Sequence, residues 1–282
     1  MARLIVLLLL VGAAAAQESA PLVIGHRGAR AAVSENMIAA FEYAIEEGAD
    51  VVELDMVLTA DDRVLVTHDL VIDPEHCLIP GGISIARAPR IRELTFEQTQ
   101  EFDCGTWTNP DYPEQKPAPA ARMPSLEQVL ERFAQADVDF MIETKVDAEA
   151  GVDPDLFAER VNEILERFDL SEKVILQSFD HRTLAAMKRL NPRVRLCLLN
   201  PPERLDDYVA PARELGAAYQ FINYRVIEPR DVTTLHDAGI KVFSGTVDDP
   251  DVWRRLIAID VDGILTDDPA GLIALLKTMH SE

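Results

Sequence analysis

The sequence has few cysteines and a shortage of positive charge, and each of these features excludes a class of protein. Only 3 of its 282 residues are cysteine, which excludes a small disulfide-rich scaffold. Its 27 basic residues are outnumbered by 49 acidic ones, which gives a formal net charge of −22. A surface this acidic repels nucleic acids and anionic membranes, so we expect no nucleic-acid partner. An anionic substrate therefore needs a local cationic site, such as a bound metal ion.

Long apolar runs are also lacking beyond the first residues of the chain. Arg3 precedes an apolar run at 4–11, and small residues follow up to Ala16. This pattern is typical of a cleavable secretory signal peptide, here residues 1–16. An uncleaved anchor is the alternative, but about thirteen apolar or small residues are too few to span a bilayer comfortably. We therefore expect residues 17–282 to be a secreted or periplasmic domain without stable membrane insertion.

The three cysteines are an odd number for an exported protein. Cys197 lies in the apolar run 194–199, where we expect a buried thiol. Cys77 and Cys104 lie in one irregular segment, and we expect a disulfide between them because an exported compartment permits oxidation. Two free thiols are the alternative. None of the three has a C-x-x-C spacing, so we expect no zinc site.

Short β-branched runs alternate with amphipathic helical stretches from residue 21 onward. Such alternation predicts a parallel sheet with right-handed crossovers. Eight such units in roughly 250 residues match an α/β fold of the (β/α)₈ TIM barrel type, with an open doubly wound sheet as the alternative. The predicted strands are 22–25, 51–57, 139–143, 174–177, 194–198, 219–222, 241–243 and 263–265. The predicted helices are 37–47, 126–135, 155–168, 181–190, 204–215, 230–238, 250–257 and 269–279.

One segment, at about 70–124, interrupts the alternation as a small insertion after the second strand. An extra short strand at 64–67 precedes it, and the segment itself is rich in proline and glycine. Loops of this length usually carry function or form a small subdomain. In a barrel this insertion would lie over the carboxyl ends of the strands, where active sites are built. We expect one short helix within it, at 94–102.

Three acidic residues stand at the ends of predicted strands. Residues two apart in a strand point to the same side, so Glu53 and Asp55 can converge on one cation. Glu143 ends the apolar run 140–142 in the same way. Carboxylate oxygens without thiolate or imidazole partners favour Mg²⁺ or Ca²⁺ over zinc. Two exposed acids on a strand rim are the alternative interpretation of Glu53 and Asp55.

Two histidines stand at the ends of other short strands. His26 lies in Gly25-His26-Arg27-Gly28, where the glycines allow close approach to a ligand. His68 ends the extra strand just before the insertion. Two histidines at one site suit general acid–base catalysis, and the fork of donors on Arg27 matches a phosphate group.

These motifs, in this order, resemble the glycerophosphodiester phosphodiesterase family, and the resemblance covers nearly the whole chain after residue 16. It implies a TIM barrel with an insertion after the second strand and a divalent metal ion. It also implies hydrolysis of glycerophosphodiesters to glycerol 3-phosphate and an alcohol. The matching motifs are His26-Arg27-Gly28, 34–36, 48–50, Glu53-Leu54-Asp55, His68-Asp69, 123–127, Glu143-Thr144-Lys145 and 263–267.

The resemblance further implies roles for single residues. The metal ligands of the family fall on Glu53, Asp55 and Glu143, so one divalent cation, Mg²⁺ or Ca²⁺, is the expected cofactor. Its paired histidines fall on His26 and His68, and its phosphate-facing cations fall on Arg27 and Lys145. The expected partner is a small-molecule phosphodiester. The attacking group is either a glycerol hydroxyl or water, and we favour His26 as the base.

The sequence departs from the family pattern in three places, of which the last, at Gly245 and Asp248, should affect substrate identity more than catalysis. Ser34 and Met37 stand where Pro and Thr are usual. Asp62 replaces a turn glycine, which is tolerable because Asp can adopt the left-handed conformation. Gly245 replaces an aromatic residue expected to line the pocket, and Asp248 replaces an amide.

Three alternatives to a glycerophosphodiesterase remain at this point. A lysophospholipase D or sphingomyelinase D-like enzyme would use the same barrel, metal and histidines on a lipid. A glycosidase would use Glu53 and Glu143 as its carboxylate pair, but this leaves Arg27 and His68 without a role. A non-catalytic exported binding protein on a decayed barrel would tolerate loss of the two histidines, yet both are present.

Overall fold

The computed structural model describes residues 20–79, 83–84 and 86–281, so the expected signal peptide lies outside the described residues. The described elements follow the order β1 (Leu22–Gly25), α1 (Ile38–Glu47), β2 (Val51–Leu58), β3 (Val64–Val66), β4 (Leu78–Ile79), β5 (Ile83–Ser84), α2 (Phe96–Thr99), α3 (Leu126–Phe133), β6 (Asp139–Thr144), α4 (Pro154–Phe168), β7 (Val174–Ser178), α5 (His181–Leu190), β8 (Arg195–Leu198), α6 (Val209–Leu215), β9 (Tyr219–Asn223), α7 (Pro229–Asp237), β10 (Lys241–Gly245), α8 (Pro250–Ala258), β11 (Gly263–Thr266) and α9 (Pro269–Met279).

Eight of the described strands form a closed parallel barrel. The hydrogen-bonded order is β1-β2-β6-β7-β8-β9-β10-β11, and β11 pairs with β1 to close the ring. In the closing pairs, Leu22 lies opposite Gly263 and Ile24 lies opposite Val51. The predicted (β/α)₈ barrel is therefore confirmed, and the open sheet is excluded because it would leave β1 and β11 as edges.

The alternation of side chains along each strand separates the inside of the barrel from the helix-facing side. One apolar residue from each barrel strand belongs to a single buried cluster inside the ring. Cys197 is a member of this cluster and is a free, buried thiol, as expected. Burial raises its pKa, and the negative charge of Glu143 raises it further. The cluster comprises Ile24, Val51, Met141, Ile175, Cys197, Tyr219, Phe243 and Leu265.

The helices pack around the outside of the barrel, and most of them begin with local capping interactions. Helix α3 begins with a capping box, in which Ser125 accepts from the Gln128 amide and the Gln128 side chain accepts from Ser125 N. Helix α6 is shorter than predicted and starts at Val209 rather than at residue 204. The Asp207 side chain accepts hydrogen bonds from the amides of Val209 and Ala210, so the helix begins only after it.

The insertion begins after β3, which pairs antiparallel with β2. It contains the β4–β5 hairpin and α2, whose four residues lie within the predicted helical stretch. A disulfide joins Cys77 to Cys104, so the predicted bridge is confirmed in the structure. The bridge lies in an apolar cluster that joins Ile72 and Ile91 of the insertion to Met37, Val57 and Leu65, so the insertion packs on the barrel around its disulfide.

The insertion is attached to the loop between β1 and α1 by hydrogen bonds. The Ser34 hydroxyl lies 2.8 Å from the carbonyl oxygen of Gly105 and 2.9 Å from that of Trp107. The Gln115 side chain donates to the carbonyl oxygen of Arg30 at 2.5 Å. These contacts fix the insertion near the carboxyl end of β1. Among the described residues, no helix is both long and apolar enough to cross a membrane.

Candidate active site

The acidic residues of β2 and β6 point into the barrel because of their register. Val51 belongs to the interior cluster, and Glu53 and Asp55 follow at intervals of two residues, so they point the same way. On the neighbouring strand, Met141 is the interior residue and Glu143 follows it. Asp55 lies directly opposite Glu143 in the β2–β6 pairing. The alternation that builds the barrel interior therefore also brings these carboxylates together at its carboxyl end.

These three carboxylates form a buried cluster. Glu53 and Asp55 are each 1% exposed and Glu143 is 6% exposed. One ligand atom from each of the three lies within 4.8 Å of the others. Glu53 accepts hydrogen bonds from the Arg27 amide at 2.8 Å and from the Gln177 side chain at 2.9 Å. Its orientation is therefore fixed by two donors from two different elements.

Asn36 fixes the second carboxylate. Its side-chain amide donates to Asp55 Oδ2 at 2.9 Å, and its oxygen accepts from the Asp55 amide at 3.2 Å. Asn36 is buried and adopts a left-handed backbone conformation with φ 56°, which asparagine tolerates better than most residues. This reciprocal pair of hydrogen bonds ties the β1–α1 loop to β2.

Two cations balance part of the negative charge. Lys145 Nζ lies 2.6 Å from Glu143 Oε1 and 3.2 Å from Asp55 Oδ1, and Arg27 Nε lies 3.4 Å from Asp55 Oδ2. Burial opposes ionisation of Asp55, but Lys145 and Arg27 outweigh it and hold the pKa of Asp55 well below its usual value. His68 lines one cleft together with Glu143 and Lys145, and His26 directly precedes Arg27 in the chain. Both histidines therefore lie next to residues that contact the carboxylates.

The cluster has the character of a divalent-cation site. Burial raises the pKa of Glu53 well above its usual value, and the charges of Asp55 and Glu143 raise it further. Burial and Asp55 likewise raise the pKa of Glu143 to about 7. Glu143 Oε1 is buried and makes no hydrogen bond within the described residues, although it faces Lys145. A hard divalent cation would relieve this repulsion, and oxygen ligands suit Mg²⁺ or Ca²⁺. The three carboxylates fit such an ion.

Each of the two histidines is paired with an aspartate through its Nδ1 atom. His26 Nδ1 lies 2.6 Å from Asp267 Oδ1, and His68 Nδ1 lies 2.8 Å from Asp69 Oδ1. Burial opposes ionisation of Asp267, but the His26 hydrogen bond and charge, with help from Tyr112 and Arg30, lower its pKa. The hydrogen bond from His68 likewise lowers the pKa of Asp69. Both carboxylates therefore accept from Nδ1–H, which leaves Nε2 of each ring available to a substrate.

The two pairs differ in burial. The side chains of His26 and Asp267 are 13% and 6% exposed, whereas those of His68 and Asp69 are 36% and 46% exposed. His68 and Lys145 line an open cleft of about 370 Å³. Phe179 also lines it and, at 58% exposed, is the most exposed large hydrophobic residue described. The His68 side of the site is thus the more accessible one.

Arg27 is held by a second acidic side chain rather than pointing freely into solvent. Its Nη1 atom lies 2.5 Å from Glu35 Oε1, while Arg30 Nε lies 2.5 Å from Glu35 Oε2. Arg27 also has a left-handed backbone conformation, with φ 50°. The guanidinium is therefore positioned between Glu35 and the carboxylate cluster.

Three of the positions that depart from the family pattern have local explanations in the structure. Gly245 has φ 154°, and a Cβ atom there would lie 2.3 Å from the carbonyl oxygen of Leu265, so this backbone excludes an aromatic side chain. Asp248 Oδ1 accepts from the Thr266 hydroxyl and the Asp267 amide, both at 2.8 Å. Ser34 holds the insertion, as described above.

Sequence reasoning assigned no role to several residues that shape the site. Asn36, Asp69 and Asp267 lie within the motifs that carry the family resemblance, so a signal for them was present. Gln177 is the second-last residue of the buried strand β7, and a polar side chain after an apolar run is a weaker signal of the same kind. Tyr112 lies in the irregular insertion, where periodicity offers no information.

Comparisons with known proteins agree on one family. The profile of the glycerophosphoryl diester phosphodiesterase family matches residues 26–271. A glycerophosphodiester phosphodiesterase of Caldanaerobacter subterraneus is 31% identical over 91% of this chain and 98% of its own length. A putative glycerophosphodiester phosphodiesterase of Bacillus subtilis is 30% identical over 89% of this chain and 96% of its own length.

Solved structures show the same fold. A putative glycerophosphoryl diester phosphodiesterase from Silicibacter pomeroyi superposes with a TM-score of 0.87 at 24% identity, covering 93% of this chain and 95% of the other. A phosphodiesterase from Oleispira antarctica, crystallised with the product sn-glycerol-3-phosphate, superposes with a TM-score of 0.77 at 21% identity, covering 92% of this chain and 97% of the other.

Proposed function

Because the chain belongs to the glycerophosphoryl diester phosphodiesterase family, we propose that it hydrolyses glycerophosphodiesters to glycerol 3-phosphate and an alcohol with one bound divalent cation. The observation that carries this proposal is the convergence of three buried carboxylates with two aspartate-paired histidines. The Oleispira antarctica relative, bound to sn-glycerol-3-phosphate, supports the identity of the product. Family membership also disfavours the glycosidase and the non-catalytic binding protein.

The cation would be held by Glu53, Asp55 and Glu143, as Mg²⁺ or Ca²⁺. When bound, it supplies positive charge that stabilises the negative charge developing on the phosphoryl oxygens. This local charge also explains how a protein with a net charge of −22 can bind an anionic substrate.

Lys145 and Arg27 bind the phosphate group in this proposal. Both side chains are mostly buried at the edge of the carboxylate cluster, and each of them contacts two carboxylates. Lys145 contacts Glu143 and Asp55, and Arg27 contacts Glu35 and Asp55. Fixed donors aimed at one position cost little reorganisation when charge develops there.

The two histidines move the protons. His26 takes the proton from the attacking oxygen, which belongs to a substrate hydroxyl or to water, as a new P–O bond forms. His68 gives a proton to the oxygen of the leaving alcohol as the old P–O bond breaks. Attack by water yields glycerol 3-phosphate directly. Attack by the neighbouring glycerol hydroxyl yields a cyclic phosphate, which water must then open with the two histidines in reversed roles: His68 takes the proton of the water, and His26 returns a proton to the released hydroxyl. Each ring is oriented for this task by its aspartate at Nδ1. His68 is assigned to the leaving alcohol because it lines the open cleft on its side of the site.

The test is turnover of purified protein on two substrates at equal concentration. Glycerophosphocholine should release choline, measured with a choline oxidase assay, at a rate well above that with lysophosphatidylcholine, and a coupled dehydrogenase assay should detect glycerol 3-phosphate as its other product. Preferential cleavage of the lysolipid would instead support the lipid phosphodiesterase alternative. A protein that cleaves neither substrate in the presence of Mg²⁺ or Ca²⁺ would refute the proposed function.

We also propose that the protein is exported after cleavage near Ala16. The apolar run at 4–11 and the disulfide between Cys77 and Cys104 support this proposal. Expression of the full chain in a bacterium with an outer membrane should yield a periplasmic product that lacks residues 1–16. A full-length product in the cytoplasm would contradict it.

A further inference from the structure

We propose that Tyr112 of the insertion is a positioning residue that holds Asp267 against His26. The inference rests on the proposed function only in taking His26 as a catalytic group. It assigns a role to a residue outside the barrel strands, in a segment whose contribution to the site the sequence left undefined.

The geometry forms a continuous hydrogen-bonded chain. The Tyr112 hydroxyl donates to Asp267 Oδ2 at 2.5 Å, while the other oxygen of the same carboxylate, Oδ1, accepts from His26 Nδ1 at 2.6 Å. Asp267 is 6% exposed, so its two oxygens depend on protein donors rather than on bulk water. Removing the hydroxyl therefore leaves Oδ2 without its shortest hydrogen bond.

A competing donor lies nearby. Arg30 Nη1 is 3.5 Å from Asp267 Oδ2, and the Arg30 guanidinium lies 5.8 Å from the centre of the Tyr112 ring. Without the tyrosine hydroxyl, the carboxylate can turn towards Arg30 to recover a charged partner. That rotation pulls Oδ1 away from the His26 ring, which then loses its fixed orientation.

Tyr112 is itself well anchored. Its amide donates to the carbonyl oxygen of Asn109 at 2.9 Å, and its carbonyl oxygen accepts from the Gln115 amide at 2.9 Å. The Gln115 side chain accepts from the Asn109 amide and donates to the carbonyl oxygen of Arg30, each at 2.5 Å. Asn109 and Gln115 are buried. The turn that carries Tyr112 is therefore docked on the loop that follows β1.

Asp248 keeps the tyrosine hydroxyl between two acceptors. Its Oδ2 lies 3.1 Å from the Tyr112 hydroxyl, and its Oδ1 is fixed by Thr266 and by the Asp267 amide. Burial and the hydrogen bond to Asp267 raise the pKa of Tyr112 far above its usual value, so the hydroxyl stays a donor. One hydroxyl proton can serve only one of the two acids at a time, and the shorter contact is to Asp267.

The first experiment compares Tyr112→Phe with Tyr43→Phe. Tyr43 lies on α1, and its hydroxyl has no hydrogen-bond partner within the part of the chain that the structure describes. We expect Tyr112→Phe to lower kcat about tenfold, the scale for one hydrogen bond to a charged group, with KM changed less than about threefold. Tyr43→Phe should leave both unchanged. A kcat for Tyr112→Phe equal to that of the wild type would overturn the inference.

Two further readouts separate positioning from a structural role. In a His26→Ala background, adding Tyr112→Phe should cause no further loss of kcat, because the group that it positions is already gone. An equal tenfold loss there would show that Tyr112 does not act through His26. In proton NMR, the low-field Nδ1–H signal that His26→Ala abolishes should move upfield in Tyr112→Phe. An unchanged signal overturns the inference.

The NMR readout also distinguishes this inference from the proposed function. A wild type without phosphodiesterase activity refutes the proposed function, while the His26 signal still reports whether Tyr112 holds Asp267. Tyr112→Phe removes one atom from a half-buried side chain, and its melting temperature, compared with that of Tyr43→Phe, shows that the fold is retained.

Discussion

His26 and Asp267 are 241 residues apart in the chain, yet His26 Nδ1 lies 2.6 Å from Asp267 Oδ1. Closure of the barrel produces this contact, because β11 pairs with β1 and the residues that follow the two strands meet at their carboxyl ends. A parallel arrangement at His68 uses Asp69, its neighbour in the chain. Both candidate proton carriers are thus oriented by an aspartate at Nδ1, which is distant in the sequence for His26 and adjacent for His68.

Replacement of Asp267 should lower kcat more than replacement of Asp69. Asp267→Asn should lower kcat by roughly ten- to a hundredfold, because a buried, charge-assisted hydrogen bond contributes about 1.5–3 kcal/mol. Asp69→Asn should cost less, since Asp69 is 46% exposed and water can replace it. Steady-state kinetics of both variants check this order. A larger loss in Asp69→Asn than in Asp267→Asn would contradict it.

Removal of either histidine should abolish most of the turnover. His26→Ala and His68→Ala should each lower kcat on the order of a hundredfold or more, the usual scale for a positioned acid or base. The double variant should lose less than the product of the two single losses, because the two groups act as a unit. His280→Ala is the matched control, since His280 is exposed at the end of α9, and it should behave as wild type. Near wild-type turnover in either single active-site variant would refute the assignment.

The Asp267 carboxylate should give a pH-dependent contribution to stability. Its pKa is lowered in the folded protein, so its stabilising effect is complete above its unfolded pKa, about 3.9 for an aspartate, and is lost as pH falls through the lower, folded value. The difference in unfolding free energy between wild type and Asp267→Asn should therefore shrink as pH falls below 4. Urea titrations at each pH measure it. A difference that grows on acidification would show that the carboxylate is not stabilised in this way.

Thiol counting should reproduce the cysteine arrangement. Native protein should react with no thiol reagent at a measurable rate, because Cys197 is fully buried and burial raises its pKa. Denatured, unreduced protein should expose one thiol, and reduction should expose three. Three thiols before reduction would show that Cys77 and Cys104 are not bridged.

Much of the fold followed from periodicity alone. The predicted strands and helices were close to those observed because each barrel strand is short, apolar and bounded by helical patterns. The carboxylate cluster was also predictable, since the period of two in β2 places Glu53 and Asp55 on one side. Asp55 and Glu143 then meet because β2 and β6 are neighbours in the barrel.

Other parts of the site depend on contacts that a linear sequence does not display. Asp267 reaches His26 only because the barrel closes, and Tyr112 reaches Asp267 only because the insertion is docked by Ser34 and Gln115. The insertion has little regular patterning, so its turns are decided by individual hydrogen bonds and by its disulfide. The start of α6 also depends on individual hydrogen bonds, because the Asp207 side chain accepts from the first amides of the helix.

Divalent cations should stabilise the folded protein. A cation at a hundred times its Kd adds about 2.7 kcal/mol, which corresponds to a rise in melting temperature of roughly 5–10 °C for a domain of this size. The rise should vanish in Glu143→Gln, which removes one ligand from the cluster. It should persist in Glu159→Gln, whose exposed carboxylate lies on α4.

The most direct test of the account is the release of glycerol 3-phosphate from a glycerophosphodiester by chelator-treated protein, before and after Mg²⁺ or Ca²⁺ is added back. A buried cluster of three carboxylates that holds a cation for phosphodiester hydrolysis predicts negligible release without metal and full recovery on addition of one of the two ions. Unchanged release after exhaustive chelation would contradict it.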